Sequence, residues 1–324
     1  MLCLIRHETD PYFNLAAEEY VMEHFPQDCF MLWRNAPAII VGRHQNTLAE
    51  IDIDYVRAHD IPVVRRLSGG GAVFHDLGNL NFTFIADDSA RLDFHRFSQP
   101  ILDALRAMGV PAVFEGRNDL TIDGRKFSGN AQYVHGGRVL HHGTLLFAAR
   151  MADISAALRP AAAKFAGKAV QSVRSRVTNI TEHLPEPMTV LEFRDRLMAH
   201  VVATTPAVEP YAFTPADVAA ITQLRDEKYA TWEWNYGHSP AYNYHKAART
   251  PGGMLEVALD VNDGIITAAQ FFGDFFNRRD PEEVAAALIG VPHCREDLRD
   301  RLAALPIDDY FHNVPSQALL DVLI

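Results

Sequence analysis

The residues best suited to chemistry lie in the segment 63–76, where two arginines precede three consecutive glycines. An apolar, β-branched run that ends at Val64 predicts a strand before them. Three adjacent glycines contribute no packing and cost backbone entropy, so they suit a sharp turn or a backbone that lies against a ligand. Arg65 and Arg66 indicate that this ligand is an anion, because guanidinium and backbone N–H groups together bind phosphate or carboxylate.

The glycine loop (residues 68–72) matches neither of the common nucleotide-binding motifs. No Lys-Ser/Thr pair follows at the spacing of a P-loop, and Gly69 and Gly71 lack a third glycine three residues later. Taken alone, the loop is therefore also compatible with a glycine-rich hairpin that carries two solvated arginines.

Lys126 is the strongest candidate for a catalytic cation. It follows the tight hairpin signal Asp123-Gly124 and precedes small residues at 128–131 that leave room around it. A lysine held in this way can place a point charge where negative charge develops in a transition state. The alternative interpretation is a solvated hairpin lysine.

Three further stretches combine glycine, polar residues and a cationic or imidazole side chain at predicted strand ends, which suits a backbone close to a ligand. They are residues 116–120, 124–131 and 141–145. His135, His141 and His142 fall in or near these stretches, but no cysteine or carboxylate cluster accompanies them. The pattern therefore does not favour a zinc site.

Composition limits the classes of function. A net charge of −11 over 324 residues argues against a general nucleic-acid binder. Cys3, Cys29 and Cys294 are too far apart for a disulfide framework or a zinc motif, which fits a reducing compartment. No apolar run reaches membrane-spanning length and no signal-peptide layout opens the chain, so we expect a cytoplasmic protein without membrane or nucleic-acid partners.

Periodicity and turn signals predict a mixed fold. Helices are predicted over 14–24, 53–59, 97–109, 151–158, 190–202, 281–289, 295–304 and 315–323, the first capped by Asn14. Strands are predicted over 30–33, 38–41, 61–64, 80–86, 120–122, 126–127, 132–135, 138–141, 144–148, 254–261 and 265–272. Successive antiparallel strands between helices indicate a mixed α/β (α+β) layout with a mixed or antiparallel sheet rather than a doubly wound parallel sheet.

A linker is predicted at Arg249-Thr250-Pro251-Gly252-Gly253, where proline and glycine follow polar sequence. It divides a catalytic domain, residues 1–248, from a small α/β accessory domain, residues 249–324. The hinge between them is expected at about residues 247–253.

Six motifs, taken in order, resemble the lipoate–protein ligase family across nearly the whole chain. They are Arg-Arg-x-Ser-Gly-Gly-Gly-Ala-Val-x-His-Asp-x-Gly-Asn (65–79), Gly-Arg-Asn-Asp-Leu (116–120), Lys-x-Ser-Gly-Asn-Ala (126–131), His-His-Gly-Thr-Leu (141–145), Ser-Val-Arg-Ser-Arg-Val-Thr-Asn (172–179) and Trp-x-Trp-Asn-x-Gly (232–237). Residues 250–324 resemble the accessory domain of the bacterial ATP-dependent A type. The resemblance implies a catalytic domain of the kind shared with biotin ligases and class II aminoacyl-tRNA synthetases.

The resemblance implies a reaction in two steps. Lipoate and ATP give lipoyl-AMP and pyrophosphate, with Mg²⁺ as activator and without a tightly bound cofactor. A lysine of an acceptor lipoyl domain then takes the lipoyl group and releases AMP. The implied acceptors are E2 subunits of 2-oxoacid dehydrogenases and the H protein of glycine cleavage, and octanoate is a competing acid.

The resemblance also assigns residues. The implied ATP-binding residues are Arg66, Gly71, Ala72, Val73, Phe74 and Lys126, with Asn118 and Asp119 as candidates for adenine, ribose or magnesium contacts. The implied lipoate-binding residues are Lys126, Gly70, Trp33 and His142, with Val41 as a further lining candidate. Lys126 is the implied catalytic residue. Trp33 is equally compatible with plain core packing, and Arg43 and Arg65 are candidates for added positive potential.

Other activities on the same fold stay open. An ATP-independent octanoyl- or lipoyltransferase would use a cysteine thioester or a lysine-assisted direct transfer, and the spacing of the cysteines disfavours the thioester. A transferase that uses only preformed lipoyl-AMP would keep the same motifs. A biotin ligase lacks support because its glycine-rich motif is absent, and a non-catalytic lipoyl-domain binder would not need Lys126.

Overall fold

The computed structural model describes residues 1–45, 47–51, 53–87, 93–150, 177–236, 244–262 and 264–324. Its helices are α1 (Pro11–His24), α2 (Thr47–Glu50), α3 (Ile53–Ala58), α4 (Phe94–Ala107), α5 (Val190–Thr204), α6 (Pro215–Leu224), α7 (Trp232–Tyr236), α8 (Glu282–Leu288), α9 (Arg295–Ala303), α10 (Ile307–Tyr310) and α11 (Ser316–Leu323). The predicted helix 151–158 lies outside the described residues.

The strands confirm most of the predicted pattern. They are β1 (Leu2–Ile5), β2 (Cys29–Trp33), β3 (Ala38–Val41), β4 (Val63–Arg65), β5 (Val73–His75), β6 (Asn79–Ala86), β7 (Ala112–Glu115), β8 (Asp119–Ile122), β9 (Arg125–His135), β10 (Arg138–Leu146), β11 (Glu209–Pro210), β12 (Tyr244–Thr250), β13 (Gly253–Asn262) and β14 (Ile265–Gly273). The segments predicted at 138–141 and 144–148 form one strand, β10, which ends at Leu146.

The largest sheet has the strand order β11-β1-β2-β6-β10-β9-β8-β7. Its β1 strand pairs in parallel with β2 and β11, and the other neighbours are antiparallel. The mixed α/β prediction is therefore confirmed. Two tight hairpins hold the antiparallel part in register, since both central residues at Asp123-Gly124 and at Gly136-Gly137 have positive φ.

Side-chain alternation gives this sheet two different faces. On one face Phe30, Phe82 and Phe84 pack with helices α4 and α5 in the main hydrophobic core. On the opposite face Met31 and Trp33 pack against α1. The candidate site lies on this second face.

Helix α1 begins at Pro11, three residues before its predicted start. The carboxylate of Asp10 accepts the N–H of Tyr12, and a proline at the first helical position suits a helix start. The predicted cap at Asn14 is wrong. The Asn14 side chain is buried inside the first turn and donates to the carbonyl oxygens of Glu8 and Arg34.

A small second sheet, β4-β3-β5, carries the glycine loop. The central strand β3 pairs in parallel with β4 and antiparallel with β5. The loop therefore crosses over the end of β3 as it connects β4 to β5. Gly70 has φ +91, which a residue with a Cβ rarely adopts.

The C-terminal residues form a unit in which the antiparallel sheet β12-β13-β14 packs with helices α8 to α11 around its own core. The predicted linker is wrong, because Thr250 pairs with Gly253 and the segment is a tight turn between β12 and β13. Strand β12 already begins at Tyr244. The division into residues 1–248 and 249–324 stays a prediction. Within the described residues, no helix combines the length and apolar character needed to cross a membrane.

Arg65 connects the small sheet to the elements around it. The side chain is fully buried, and its guanidinium makes six hydrogen bonds, all to carbonyl or hydroxyl oxygens. The acceptors belong to Gly42, Arg43, Gln45, Thr47, Trp234 and Asn235. Burial, with the nearby charges of Arg43 and Arg66, lowers the pKa of Arg65 to about 9. One side chain thus joins β4, the turn after β3, and α7.

Replacement Arg65→Met is expected to lower the free energy of unfolding by about 3 kcal/mol or more, because several buried acceptors lose their donor. Loss of the desolvated charge offsets only part of this cost. Urea unfolding measures the change. The control Arg299→Met, at a side chain that is 62% exposed, should stay within about 0.5 kcal/mol. An equally small change at Arg65 would contradict the role of the buried guanidinium.

Candidate active site

Two adjoining cavities lie between the glycine loop and strands β8, β9 and β10. Cavity I has a volume of about 380 Å³ and cavity II about 750 Å³. The residues that line both are Ala72, Val73, Asp119, Lys126, Gly129 and Thr144. A ligand with two chemically different halves could therefore place its junction beside these shared residues.

Lys126 stands at the junction of the two cavities. Its Nζ lies 2.7 Å from Oδ1 of Asp119, and about 40% of the side chain is exposed. Its backbone is fixed by ladder pairing with Thr121 and by the N–H of Thr178, which donates to its carbonyl oxygen. A Cβ on Gly129 would lie 3.0 Å from Nζ, so the glycine leaves the space that the ammonium occupies.

Asn118 is occupied by contacts within the protein. Its Nδ2 donates to the carbonyl oxygen of Asn130 at 2.6 Å, and Nδ2 of Asn130 returns a bond to the carbonyl oxygen of Asn118 at 2.9 Å. This reciprocal pair ties the start of β8 to β9. Asn118 lines cavity I, whereas the neighbouring Asp119 lines both cavities.

Arg66 supports the glycine loop from beneath. Its guanidinium donates to the carbonyl oxygens of Gly69 at 2.6 Å and Gly71 at 2.9 Å, and to the hydroxyl of Ser68 at 3.0 Å. Burial lowers the pKa of Arg66 to about 10, so it stays cationic near neutral pH. Arg66 also lines cavity I. It therefore supplies both the shape of the loop and a positive charge close to it.

The other residues predicted on the loop divide between the cavities. Gly70 and Gly71 line cavity I, Phe74 lines cavity II, and Ala72 and Val73 line both. A Cβ added to Gly71 would meet no atom within 4 Å. The backbone at this point is thus open to an approaching ligand.

A chain of buried hydrogen bonds runs behind cavity I. The indole Nε1 of Trp33 donates to Oγ1 of Thr83 at 2.9 Å, and the Thr83 hydroxyl donates to Oε1 of Glu18 at 2.5 Å. Nδ1 of His142 lies 2.9 Å from the same oxygen. Because the carboxylate can only accept, Nδ1 carries the hydrogen of this bond.

The same chain continues to the glycine loop. Nε2 of His142 lies 2.6 Å from the hydroxyl of Ser68, which also accepts from Arg66. Trp33 and His142 both line cavity I, and their assignment to lipoate stays a prediction. The bonds fix the orientation of both rings, so neither can turn without breaking contacts that reach the loop.

Two parts of the prediction do not fit cavity I. Val41 is not among its lining residues and packs with Phe74 in a separate hydrophobic cluster, whereas its neighbour Ile40 faces the cavity. Arg43 points to the C-terminal unit, where it pairs with Asp280 at 3.6 Å and Glu282 at 3.7 Å. The fully buried Arg65 also lies outside the cavity.

Several lining residues were not identified from the sequence. Leu15, Ile40, His75, Asn81, Arg117, Arg249 and Asp274 all line cavity I. His75 and Asn81 belong to or border the first motif, but nothing in the motif shows which way a side chain points. Glu18, which takes part in the hydrogen-bond chain behind cavity I, had one signal in the sequence: it is a carboxylate on the apolar side of a predicted helix.

The C-terminal unit closes one side of cavity I. The N–H of Gly70 donates to the carbonyl oxygen of Phe275 at 3.3 Å, and the N–H of Gly273 donates to that of His44 at 2.7 Å. The guanidinium of Arg117 lies 4.6 Å from the ring centre of Phe276. The glycine loop is therefore in direct contact with this unit.

Metal binding has limited support from side chains. The described part of the chain contains no cluster of three or more His, Cys, Asp or Glu residues. His141 and His142 point to opposite faces of β10, with His141 among Phe82 and Phe97. Asp119 and Glu115 are carboxylates that line cavity II. A magnesium ion there would depend on oxygens of a bound substrate, which is usual for Mg²⁺.

His75 is held neutral within the site. Burial, followed by the charge of Arg66, lowers its pKa from 6.5 to about 3. Asn35 bonds to its Nδ1 at 3.1 Å and Thr144 to its Nε2 at 2.8 Å. The ring is therefore a fixed polar wall of cavity I near neutral pH.

Acid should destabilise the protein through His75. The unfolded chain takes up this proton below pH about 6.5, but the folded protein does not until pH about 3, so stability falls as pH drops through that window. The slope from this group approaches about 1.4 kcal/mol per pH unit.

Urea unfolding between pH 7.5 and 5 tests this. His75→Asn should flatten the pH dependence by about one proton relative to wild type, whatever its stability at pH 7.5. The control Ser316→Ala, at an exposed residue without a titratable side chain, should leave the slope unchanged. A wild-type slope retained in His75→Asn would contradict the depressed pKa.

Comparisons with known proteins cover most of the chain. Residues 10–202 match the family described as lipoyl protein ligase A/B catalytic domain, and residues 239–323 match the one described as bacterial lipoate protein ligase C-terminus. Lipoate-protein ligase LplJ of Bacillus subtilis is 42% identical, with 97% of each chain covered. Lipoate--protein ligase 1 of Staphylococcus aureus is 40% identical, again with 97% of each chain covered.

Solved structures agree with these relatives. The Plasmodium falciparum LipL1 structure in complex with lipoate has a TM-score of 0.78 at 24% identity and covers 99% of this chain and 97% of that one, which shows the fold. A lipoate-protein ligase A structure bound with ATP has a TM-score of 0.63 at 27% identity, with 72% and 98% covered. A Thermoplasma acidophilum structure titled as a bipartite lipoate protein ligase and its E2 lipoyl domain has a TM-score of 0.64 at 28% identity, with 75% and 98% covered.

Proposed function

The chain belongs to the lipoate–protein ligases, and on this basis we propose that it activates lipoate with ATP and transfers the lipoyl group to a lysine of an acceptor domain. In the first step a lipoate oxygen attacks the α-phosphorus of ATP, which forms lipoyl-AMP and releases pyrophosphate. In the second step the acceptor amine attacks the lipoyl carbonyl. An amide bond forms, the anhydride C–O bond breaks, and AMP leaves while the amine gives up a proton.

The observation that carries this proposal is that the predicted residues meet around Lys126, where two cavities join. The residues assigned to lipoate, Gly70, Trp33 and His142, line cavity I. Of the residues assigned to ATP, Phe74 lines only cavity II, Ala72, Val73 and Asp119 line both cavities, and Arg66, Gly71 and Asn118 line only cavity I. We therefore assign the acyl chain to the part of cavity I around Trp33, and the nucleotide to cavity II and the edge of cavity I beside the glycine loop.

Lys126 has the same physical task in both steps. During activation its ammonium offsets charge on the α-phosphate and the acyl oxygens, while open backbone at Gly71 lets the phosphate come close. During transfer the same charge stabilises the oxyanion on the tetrahedral carbon. Asp119 holds the ammonium in place, with Oδ1 2.7 Å from Nζ.

Asp119 is also the residue proposed to hold Mg²⁺. Its side chain contacts Lys126 and also lines cavity II. When bound there, the metal would supply further neutralisation of phosphate charge. The adjacent Glu115 accepts a hydrogen bond from Thr121 at 2.9 Å and is therefore less available.

The acceptor in this proposal is a lipoyl domain, such as that of an E2 subunit or the H protein. The family assignment supports an acceptor of this kind, and so does the Thermoplasma acidophilum ligase, whose structure is titled together with its E2 lipoyl domain. We place the reaction in the cytoplasm, in keeping with three free cysteines.

A thioester-forming transferase is the weaker alternative. Cys3 and Cys29 are buried, and burial raises their pKa values to about 11 and about 12, which disfavours the thiolate. Cys294 is exposed on the C-terminal unit, and none of the three lines either cavity. A transferase restricted to preformed lipoyl-AMP is separated from the ligase by assay of the first step.

Lys126→Ala should reduce lipoate-dependent exchange of labelled pyrophosphate into ATP by about 100-fold or more, because charge stabilisation at both reacting groups is lost. The wild type should exchange with lipoate and octanoate but not with biotin. Lys246→Ala, at an exposed lysine of the C-terminal sheet, is the control and should keep full exchange.

Two results of the same assay would contradict the proposed function. Exchange retained in a folded Lys126→Ala protein would remove this lysine from the mechanism. Absence of wild-type exchange, together with transfer from synthetic lipoyl-AMP to a lipoyl domain, would replace the ligase by the transferase.

The C-terminal unit is proposed to move between the two steps, since it covers cavity I and the acceptor lysine must reach the anhydride. Addition of lipoate and ATP should change the radius of gyration measured by small-angle X-ray scattering, whereas ATP with biotin should not. An unchanged scattering curve during turnover would count against the movement.

A further inference from the structure

Asn81 faces cavity I with neither atom of its carboxamide paired. The side chain is 1% exposed, and both Nδ2 and Oδ1 lack a hydrogen-bond partner among the described residues. Buried amides are normally satisfied, because an unpaired buried donor or acceptor carries its full desolvation cost. An amide left open on the wall of a binding cavity is suited to contact with a ligand.

The other polar groups nearby already have partners in the protein. His75 is bonded to Asn35 and Thr144, and His142 is bonded to Glu18 and Ser68. Asn130 has an unpaired Oδ1 but donates through Nδ2 to Asn118. Asn81 therefore differs from the other buried polar side chains of this wall in having its whole hydrogen-bonding capacity unused among the described residues.

The register of the sheet gives the distance between Asn81 and the ammonium of Lys126, where the carboxylate of the substrate is proposed to react. Asn81 pairs directly with Trp33 on one side and Thr144 on the other, and Thr144 pairs with Gly129. The ammonium of Lys126 lies over Gly129. Two strand spacings separate Asn81 from Gly129, which amounts to about 10 Å.

This distance corresponds to the far end of the acyl group. An eight-carbon acid whose carboxylate meets Lys126 extends about 9 Å when its C–C bonds are ~1.5 Å long. For lipoate that end is the dithiolane ring, and for octanoate it is a methyl group. Trp33, Leu15 and Ile40 provide the apolar part of the same cavity.

We propose that Asn81 is a specificity-determining residue that donates a hydrogen bond from its amide to a ring sulfur of the bound lipoyl group and so favours lipoate over octanoate. The inference rests on the proposed function, since it needs the acyl chain in cavity I. Sulfur is a weak acceptor, but it pairs an N–H of the amide, which the methyl end of an octanoyl chain leaves unpaired. A site built around a hydrogen bond rejects an analogue that lacks the partner.

The test compares wild type with Asn81→Leu, which keeps the number and branching of the side-chain heavy atoms and removes the amide. The measured quantity is the ratio of kcat/KM for lipoate to that for octanoate in pyrophosphate exchange. We expect the ratio to fall about three- to tenfold, since one neutral hydrogen bond is worth about that factor. The change should come from a higher KM for lipoate and an equal or lower KM for octanoate.

Ser98→Ala is the matched control, because the Ser98 hydroxyl is also buried and unpaired but lies on α4 away from both cavities. Its ratio should equal that of wild type. An unchanged ratio in Asn81→Leu would overturn the assignment. If that variant does not fold, Asn81→Ala, which also lacks a side-chain donor, is assayed in the same way and should lower the ratio in the same direction.

Failure of the proposed function is distinguishable from failure of this inference. If wild type shows no exchange with either acid, the inference can still be tested by calorimetry. The affinities for lipoate and octanoate are then measured for wild type and for Asn81→Leu. Selective loss of lipoate affinity would then support Asn81, and equal affinity changes for both acids would reject it.

Discussion

Two adjacent arginines determine the geometry on which the site depends. Arg65 and Arg66 follow one another at the end of β4, and alternation sends their side chains to opposite sides. Arg65 bonds outward to the turn after β3 and to α7, while Arg66 bonds inward to the carbonyl oxygens of the glycine loop. Neither guanidinium bonds to a carboxylate in the described parts of the chain. Hydrogen bonds to carbonyl and hydroxyl oxygens offset the desolvation of both buried charges. The same bonds hold the surrounding backbone in one conformation.

The main sheet extends this organisation from the loop to cavity I. Along β6 the residues that face the core are Leu80, Phe82 and Phe84, and those between them are Asn81 and Thr83. The three apolar side chains stabilise the hydrophobic core. Asn81 and Thr83, on the opposite face of the strand, are therefore available for polar contacts although they are buried. The hydrogen-bond chain that starts at Trp33 shows that this polar set is ordered rather than solvated.

Local signals were sufficient to predict the parts of the structure that depend on neighbours in sequence. The hairpin at Asp123-Gly124, the strand before the glycine loop and the position of Lys126 beside small residues all follow from turn chemistry and periodicity. The lack of a doubly wound sheet was also predictable, since successive hairpins leave no room for crossover helices.

Long-range features could not be predicted in the same way. Glu18 meets His142 across 124 positions of sequence, and Asn81 faces the cavity only because three strands align in one register. The linker prediction failed because Pro251 and Gly252 suit a hairpin turn as well as a linker. Val41 was named as a lining candidate and Ile40 was not, because a four-residue strand between loops gives no sign of which side chain faces a cavity.

The bond from Gly70 to Phe275 couples ligand occupancy to the position of the C-terminal unit. A ligand that takes this N–H competes with the carbonyl of Phe275 for a single donor. Thermodynamic reciprocity then requires that the ligand weaken docking of the unit by the same factor by which docking weakens the ligand. A single backbone N–H would thus link ligand binding at the loop to the docking of the C-terminal unit.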